Sequence, residues 1–342
     1  MVKIITLYNN KGGVSKTTTL FNLAVYLSQN HKKILIADCD PQCNVTELFF
    51  ASSEIADDPD KDLPGTSIYQ ALKPRFHGEI RQINPETVEL VASELYPGLY
   101  LLRGDPEFTM AETYFANAWK QAITEDMHEK NTYVALYRFL HALANKHSFD
   151  YILCDVGPST GAITRMVVLT CDGYFLPLTP DRFSNQAIEV LGKVLSEWFK
   201  RHAEISKTFE PYGLESFPGR PILLGAIIQD FKIYSAGKIK ASYEKWQIEL
   251  KKSLKTKLLA QESFPVREDL NQDDPFVAAI RDVGPLAPVA QKFGCAIFDV
   301  RKDQSAWAAR DGKSYYGVVW QNWEIRKSEY RDEIKKMSEV LP

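Results

Sequence analysis

The strongest constraint on the fold lies near the beginning of the chain, where the apolar run VKIITLY at 2–8 leads into the turn NNKGG and then a helical pattern at 16–29. A second apolar run, KILIAD at 33–38, follows this pattern. Short apolar runs bounded by turn residues are typical of buried strands, and a strand–helix–strand order predicts two parallel strands joined by a crossover helix. The glycine turn then lies at the carboxyl end of the first strand.

The alternation of strands and helices continues along most of the chain. We expect further strands at 99–104, 151–156, 173–178, 221–228 and 295–299, and helices at 107–128 and 131–146. This order predicts an α/β fold with a doubly wound, mostly parallel sheet. We expect one domain over 1–342, with an insertion at 51–98 that carries one or two short helices and a helical extension at 324–342.

Composition argues against several classes of protein. The 342 residues are 45% hydrophobic, and the formal net charge is −3. The whole chain therefore lacks the basic excess that would indicate binding to nucleic acid. No apolar run reaches the roughly 18–20 residues of a membrane span, and the N-terminus lacks a signal-peptide pattern, so we expect a cytoplasmic protein. The five cysteines form no CxxC pair and the six histidines no HxxxH spacing, which argues against a disulfide framework or a metal cluster of these residues.

The glycine turn has the composition of a phosphate-binding loop. Gly12 and Gly13 let the backbone turn tightly and approach an anion, and the following helix directs its first N–H groups to the same point. Lys16 can reach the terminal phosphates of a nucleotide, and the Thr17 hydroxyl can ligate Mg²⁺. The turn therefore predicts a site for a nucleotide with magnesium.

The loop departs from the common pattern GxxxxGK[ST], since Asn10 and Ser15 stand at its two glycine positions. KGGVSKTTT instead resembles the deviant Walker A motif of the ParA/MinD family of P-loop ATPases, in which glycine is commoner at the position of Ser15. The resemblance implies that Lys16 serves the ATP of its own subunit and that Lys11 reaches the partner's ATP in a homodimer. The residues implied to hold the nucleotide are Lys11, Gly12, Gly13, Val14, Ser15, Lys16, Thr17 and Thr18.

A second motif, IADCDPQCN at 36–44, is similar to the DxDPQxN segment of the family. The resemblance implies that Asp40 orients the attacking water and that Asp38 helps to organise the magnesium shell. A carboxylate at the end of a central strand is costly to bury unless a cation or water receives it, which favours this interpretation over a solvated Asp-Pro turn. The catalytic residues are therefore expected to be Lys11, Lys16 and Asp40.

A third motif, YILCDVGPSTGAITRMVV at 151–168, is similar to the Walker B strand of the family and the loop after it. The resemblance implies that Asp155 contacts Mg²⁺ and that the turn after it senses the γ-phosphate. The metal ligands are thus expected among Thr17, Asp38 and Asp155. A looser likeness over GAIIQDFKIYS at 225–235 implies that Asp230 contacts the base.

Local charge distinguishes between branches of this family. Residues 232–257 hold eight lysines against two acids, a balance of +6, on a pattern with apolar residues every three or four positions. We expect this helix to contact DNA phosphates without reading sequence, through Lys251, Lys252 and Lys255, although a solvated lysine-rich helix stays open. Residues 324–342 carry five basic and five acidic side chains, which gives little attraction to a membrane.

The motifs together lead to one expected function and one alternative. The resemblance implies a ParA-like ATPase that forms an ATP-sandwich homodimer, binds DNA nonspecifically on the nucleoid, is reset by Mg²⁺-dependent hydrolysis, and serves plasmid or chromosome partition. A ParB-like or other stimulating protein is the implied partner. The alternative is an ATP-dependent regulatory or cargo-positioning switch in a mobile-element or defence locus, whose partner is a protein and whose basic helix is only solvated.

Overall fold

The computed structural model describes residues 2–53, 62–79, 82–231, 241–261 and 264–342. The strands of its single sheet are β1 (Lys3–Leu7), β2 (Ile34–Asp38), β3 (Val91–Ala92), β4 (Leu99–Leu102), β5 (Tyr151–Asp155), β6 (Gly173–Leu178), β7 (Ile222–Phe231) and β8 (Phe276–Arg281). The α-helices are α1 (Lys16–Gln29), α2 (Asn44–Phe50), α3 (Ile68–Phe76), α4 (Ala111–Gln121), α5 (Met127–His147), α6 (Ala162–Thr170), α7 (Arg182–Lys207), α8 (Ala241–Ser253), α9 (Leu286–Lys292) and α10 (Gly317–Glu339).

The sheet has the strand order β3-β4-β2-β5-β1-β6-β7-β8, and every neighbouring pair is parallel except β3 with β4. The chain runs from β1 through α1 to β2 on one side, whereas β6, β7 and β8 follow on the other side of β1. The loops after β1 and β5 therefore leave the centre of the sheet in different directions. In a doubly wound sheet, ligands bind in the crevice that this change of direction creates at the carboxyl ends of the strands.

Helices cover both faces of the sheet. Ile4 and Ile152 belong to the apolar core under α3 to α8, whereas Ile5 and Leu153 belong to the core under α1, α2, α9 and α10. All four side chains are fully buried. Because successive residues of a strand face opposite sides, burial of both faces requires continuous apolar runs, which is the pattern that predicted these strands.

The described part of the 51–98 segment packs against the sheet. It contains α3, a 3₁₀ turn at Pro85–Thr87 and the edge strand β3, which pairs antiparallel with β4. The C-terminal helix α10 lies along α1 and β8 and buries four side chains: Trp323, Tyr330, Ile334 and Met337. In the part of the chain that the structure describes, no helix combines the length and apolar character of a membrane span.

The strand predicted at 295–299 is wrong. Ile297–Asp299 forms a 3₁₀ helix, because the Ala296 N–H donates to the Tyr96 hydroxyl and the Ile297 N–H donates to Asn22 Oδ1, each at 2.8 Å. Side chains thus satisfy the backbone donors that a neighbouring strand would otherwise take. The last strand of the sheet is instead β8, where the sequence predicts none.

The helix predicted at 107–128 is also partly wrong. Its first turn, Pro106–Met110, is 3₁₀, and α4 ends at Gln121. A new helix, α5, begins at Met127, four residues before the predicted start at 131. Asp126 fixes this start, because its carboxylate accepts hydrogen bonds from the N–H groups of His128 and Glu129 at 2.9 and 3.1 Å.

Candidate active site

The loop between β1 and α1 has the backbone of an anion cradle. Gly13 has φ +70°, with open space where a Cβ would stand, and Ser15 at the N-cap of α1 also has a positive φ of 54°. The Ser15 side chain makes no capping hydrogen bond, so it does not occupy the first N–H groups of α1. Such N–H groups, at the positive end of the helix dipole, bind phosphate oxygens.

The two lysines of this loop occupy different environments. Lys16 is buried, and its Nζ donates to the backbone carbonyls of Asn9 and Lys11 at 3.2 and 3.3 Å. Burial lowers the pKa of Lys16, while the negative charges of Asp155 and Asp40 act against this shift. The Nζ of Lys16 is thus held inside the loop beside two carboxylates.

Lys11 is held on the beginning of α7 instead. Its Nζ donates to Asp181 Oδ2 at 2.6 Å, to Thr179 Oγ1 at 2.7 Å and to Ser184 Oγ at 3.2 Å. Asp181 is also the N-cap of α7, since it accepts the Ser184 N–H at 2.7 Å. Burial alone would raise the pKa of Asp181, but the hydrogen bonds from Lys11, Thr179 and Ser184 hold it below its ordinary value.

Three aspartates lie at or just after the carboxyl ends of β2 and β5: Asp38, Asp40 and Asp155. Asp38 and Asp155 are direct neighbours across these parallel strands, and the Thr17 hydroxyl donates to Asp155 Oδ2 at 2.8 Å. Asp155 Oδ1 is buried and has no hydrogen-bond partner among the described residues. Burial raises the pKa of Asp155 well above its ordinary value, and the negative charge of Asp38 adds to this shift. A cation bound here would relieve both the repulsion and the orphaned oxygen.

Asp38 is already saturated by hydrogen bonds. It accepts the Thr46 hydroxyl at 2.6 Å, the Thr46 N–H at 3.0 Å and the Asp40 N–H at 3.2 Å. Burial nevertheless raises the pKa of Asp38 to about 6. Asp38 therefore has less capacity left to receive a cation than Asp155, whose Oδ1 accepts no hydrogen bond from the described residues.

Among the described residues, no cluster of three or more His, Cys, Asp or Glu side chains is arranged to hold a metal by itself. A cavity of about 550 Å³ opens beside Thr17 and Thr18, where α2 and α9 supply the other walls. The cavity thus borders two residues that the sequence predicts to hold a nucleotide.

Comparison with known proteins decides the family. A family model described as an AAA domain matches residues 2–207, which is more than half of the chain. The chromosome partitioning protein ParA of Myxococcus xanthus is 27% identical over 233 residues, 68% of this chain and 71% of that protein.

The chain belongs to the ParA/MinD family of P-loop ATPases. An uncharacterised protein of Pseudomonas putida is 28% identical over 192 residues, 56% of this chain, and the match spans only 61% of that protein's length. Among solved structures, the ATP complex of an McdA variant from Cyanothece has a TM-score of 0.62 at 15% identity and covers 100% of this chain and 98% of that one. MinD of Pyrococcus horikoshii with Mg-ADP has a TM-score of 0.52 at 17% identity, covering 99% and 96%. These two likenesses show the shared fold.

Strand β7 contacts the phosphate loop through Asp230. Asp230 lies near the end of β7 with φ +57°, and its carboxylate accepts a hydrogen bond from the Ser15 hydroxyl at 3.1 Å. The preceding Gln229 donates to Thr19 of α1 at 2.8 Å. The serine that replaces the commoner family glycine therefore joins the loop to β7, and the base contact of Asp230 stays a prediction.

The basic segment of this ParA/MinD chain is less cationic than its sequence suggests. Lys251 pairs with Asp274 at 2.7 Å, Lys255 pairs with Asp273, and Lys252 is exposed. Lys257 pairs with Glu189 at 3.2 Å. Three of the eight lysines (232, 238 and 240) lie outside the described residues. The apolar face is buried as expected at Leu250, Leu254 and Leu258, so the helix packs by one side.

The sequence did not single out several residues that complete the site. Thr46 fixes Asp38 and also accepts the Gly104 N–H at 2.8 Å, while Asp181 receives Lys11. The pattern TPDRFS predicts a helix N-cap at Asp181. Its contact with a lysine 170 positions away requires the folded sheet.

Proposed function

We propose that this chain is a ParA-like ATPase that binds ATP with Mg²⁺, dimerises around the nucleotide, binds DNA nonspecifically as a dimer and is reset by hydrolysis. The observation that carries the proposal is the pair of lysines on one phosphate loop. Lys16 lies inside the loop beside Asp155 and Asp40, whereas Lys11 is held outside it on Asp181. One cation can thus serve the nucleotide of its own subunit while the other stays available to a second subunit.

Within one subunit, the residues divide the work on ATP. The N–H groups of the loop and of α1 would hold phosphate oxygens, and Lys16 would contact the terminal phosphates. Thr17 and Asp155 would hold Mg²⁺, which neutralises phosphate charge when bound. Asp40 is buried beside the turn that follows β5, where its carboxylate would accept a hydrogen bond from the attacking water and orient it.

Lys11 gives dimerisation a chemical purpose. Negative charge develops on the phosphate oxygens as the γ-phosphoryl group leaves, and a second lysine from the partner would stabilise that charge. The ion pair with Asp181 is partly exposed, with 25% and 38% of the two side chains accessible, so its loss costs only about 0.2–1 kcal/mol. Lys11 can therefore exchange this contact for one with the partner's ATP.

The proposed biological role is plasmid or chromosome partition, because the M. xanthus relative is named as a chromosome partitioning protein. In this proposal the protein acts in the cytoplasm and associates with the nucleoid in its ATP state, and its partner is a ParB-like or other protein that accelerates hydrolysis. The nonspecific DNA contact is assigned to Lys251, Lys252 and Lys255, with the neighbouring lysines contributing charge.

One surface favours the alternative role as a switch for a protein partner. Trp307, Tyr316, Val318 and Val319 are exposed near the beginning of α10, with Tyr316 78% and Val318 70% accessible. Exposed apolar side chains grouped in this way are typical of protein interfaces. The pairing of Lys251 and Lys255 with acids of the same chain also reduces the charge available to DNA.

The test of the proposed function is the variant Asp40→Ala. We expect it to bind ATP with Mg²⁺ as well as the wild type does, to hydrolyse ATP at least tenfold more slowly, and to accumulate as a dimer. A fluorescent ATP analogue measures binding, phosphate release measures turnover, and light scattering measures mass. The near-isosteric Asp40→Asn should behave in the same way. A variant that binds ATP yet stays monomeric at saturating nucleotide would contradict the sandwich dimer.

A further inference from the structure

The helix α6 begins in an unusual way. Its N-cap is Gly161, which has no side chain to cap the first turn. Glu112 of α4 does so instead, because its Oε1 accepts the Ala162 N–H at 2.5 Å and its Oε2 accepts the Ile163 N–H at 2.9 Å. A carboxylate in this position satisfies two unpaired donors and interacts favourably with the helix dipole.

The glycine at position 161 is explained by space rather than by backbone conformation. Its φ is −68°, which every residue type adopts. A Cβ at this position would stand 2.7 Å from Glu112 Oε1, closer than two such atoms can approach. Gly161 therefore leaves room for the carboxylate of Glu112.

The β5–α6 loop (156–161) joins this helix start to the candidate active site. A Cβ at Gly157 would stand 3.1 Å from Asp40 Oδ1, and one at Gly12 would stand 3.6 Å from Pro158 Cγ. The loop thus packs against both the Asp40 carboxylate and the phosphate loop. Its far end is tied to α6, since the hydroxyls of Ser159 and of Thr164 on α6 are hydrogen-bonded at 2.9 Å.

A second contact links α4 to α6. The guanidinium of Arg165 lies 4.3 Å from the ring centre of Trp119 on α4, and its positive charge attracts Glu112. The start of α6 is therefore located by α4, a helix outside the nucleotide motifs. Because the β5–α6 loop is short, a shift of this start moves the backbone that contacts Asp40.

We propose that Glu112 is a positioning residue for ATP hydrolysis, which acts by holding the start of α6 so that the β5–α6 loop keeps Asp40 and the phosphate loop in register. The inference rests on the proposed ATPase function. Glu112 does not touch the nucleotide in this assignment. Its loss is expected to lower turnover and leave ATP binding intact, because the groups that bind phosphate belong to the loop after β1.

The test compares Glu112→Ala, Glu112→Gln and Gly161→Ala with the wild type. Glu112→Ala should lower kcat by about tenfold to a hundredfold, since small displacements of catalytic groups have effects of this size, while the ATP dissociation constant changes less than about twofold. Glu112→Gln retains one acceptor oxygen, so its kcat should lie between the values of Glu112→Ala and the wild type. Glu107→Ala is the matched control, because Glu107 is an exposed acid just before α4.

Gly161→Ala makes the test independent of the removal of a charge. Its methyl group should push the carboxylate away from the α6 N–H groups and lower kcat as Glu112→Ala does. The double variant should be no slower than either single one, because both remove the same interaction. Hydrogen exchange at the amides of Ala162 and Ile163 should accelerate in Glu112→Ala, in Gly161→Ala and in the double variant.

The outcomes separate this inference from the proposed function. A wild type without ATPase activity would contradict the proposed function, whereas faster amide exchange in Glu112→Ala would still confirm the cap. If the wild type hydrolyses ATP and Glu112→Ala keeps a kcat within twofold, the positioning role is overturned. A lower melting temperature with unchanged kcat would overturn it as well. If Glu112→Ala fails to fold, Glu112→Gln and Gly161→Ala decide the question by the same criteria.

Discussion

At the scale of single residues, the different surroundings of Lys16 and Lys11 predict that alanine substitutions at these positions impair different functions. Lys16→Ala should weaken ATP binding by about tenfold to a hundredfold, because a hydrogen bond to a charged group contributes about 1.5–3 kcal/mol. Lys11→Ala should keep ATP affinity within about threefold and lose dimerisation or turnover, since Lys11 is held on Asp181 outside the loop. Equilibrium binding and light scattering at saturating ATP measure both, with Lys32→Ala as an exposed control. Identical defects in the two variants would remove the basis for separate roles.

The same residues show how much of the site a sequence can reveal. The loop and the aspartates Asp40 and Asp155 stand in short motifs, so their meeting at the carboxyl ends of β1, β2 and β5 follows from the strand order alone. Thr46, Glu112 and Asp181 stand in no such motif. Each acts through a contact whose partner is distant in sequence or belongs to a different element. A local pattern predicts the N-cap at Asp181, but no local pattern reveals which distant group such a side chain contacts.

At the scale of secondary-structure elements, Asp181 combines a helix cap with the ion pair to Lys11. Asp181→Asn should keep the cap, since asparagine is an equally good N-cap, and lose the ion pair. Because an ion pair of this exposure contributes about 0.2–1 kcal/mol and a dimer releases two of them, we expect ATP-dependent dimers at a protein concentration about 2- to 30-fold lower. Light scattering over a concentration series measures this shift at neutral pH. Asp181→Ala should in addition lose about 1 kcal/mol of unfolding free energy, measured by urea denaturation.

The pKa of Asp181 sets the pH range of that comparison. Its hydrogen bonds hold the folded-state pKa below the ordinary value, so the ion pair stabilises the fold above the ordinary Asp range and is lost as pH falls through the lowered pKa. The difference between wild type and Asp181→Asn should therefore be constant near neutral pH and shrink only in acid. A dimer that becomes weaker in Asp181→Asn at neutral pH would show that Asp181 does not hold Lys11 back.

Elements also explain where sequence-based prediction of the fold stops. The central strands are buried on both faces, which requires long apolar runs, and these were found with nearly correct ends. The edge strand β8 is only partly buried and carries two alanines, so its pattern resembles that of a loop or a short helix. Residues 295–299 show the reverse, because an apolar run forms a 3₁₀ turn once Tyr96 and Asn22 take its backbone donors.

At the scale of the whole molecule, the question is whether the basic segment can collect DNA phosphates. Between 241 and 258, five lysines stand with two acids of the same segment. Lys251, Lys255 and Lys257 pair with Asp274, Asp273 and Glu189, and Glu189 also pairs with Lys193, so these acids offset much of the basic excess. These ion pairs are partly exposed, and each contributes only about 0.2–1 kcal/mol. Phosphates of a duplex can therefore replace the acids, and a dimer offers two such segments to one duplex.

This charge balance predicts weak, salt-sensitive and sequence-independent DNA binding in the ATP state. Each phosphate that a lysine neutralises contributes about 0.9 to the slope of log affinity against log salt, so a dimer with several contacts should lose affinity steeply as salt rises. Replacing Lys251, Lys252 and Lys255 together with Glu should abolish binding and leave ATP-dependent dimerisation intact. Lys252→Glu alone tests the exposed lysine without breaking the pairs to Asp273 and Asp274, and Lys302→Glu is an exposed control elsewhere.

The decisive measurement is fluorescence anisotropy with a random-sequence duplex at several salt concentrations, in ATP and in ADP. Binding that requires ATP, falls with salt and is lost in the triple variant would assign the DNA contact to this segment. The control Lys302→Glu should then keep the slope of the wild type, because each lysine that contacts phosphate changes it by about 0.9. If the wild type in ATP shows no salt-dependent binding, or the triple variant binds equally well, Lys251 and Lys255 serve only their ion pairs and Lys252 is a solvated side chain. The exposed surface of Trp307, Tyr316, Val318 and Val319 would then direct the search towards a protein partner.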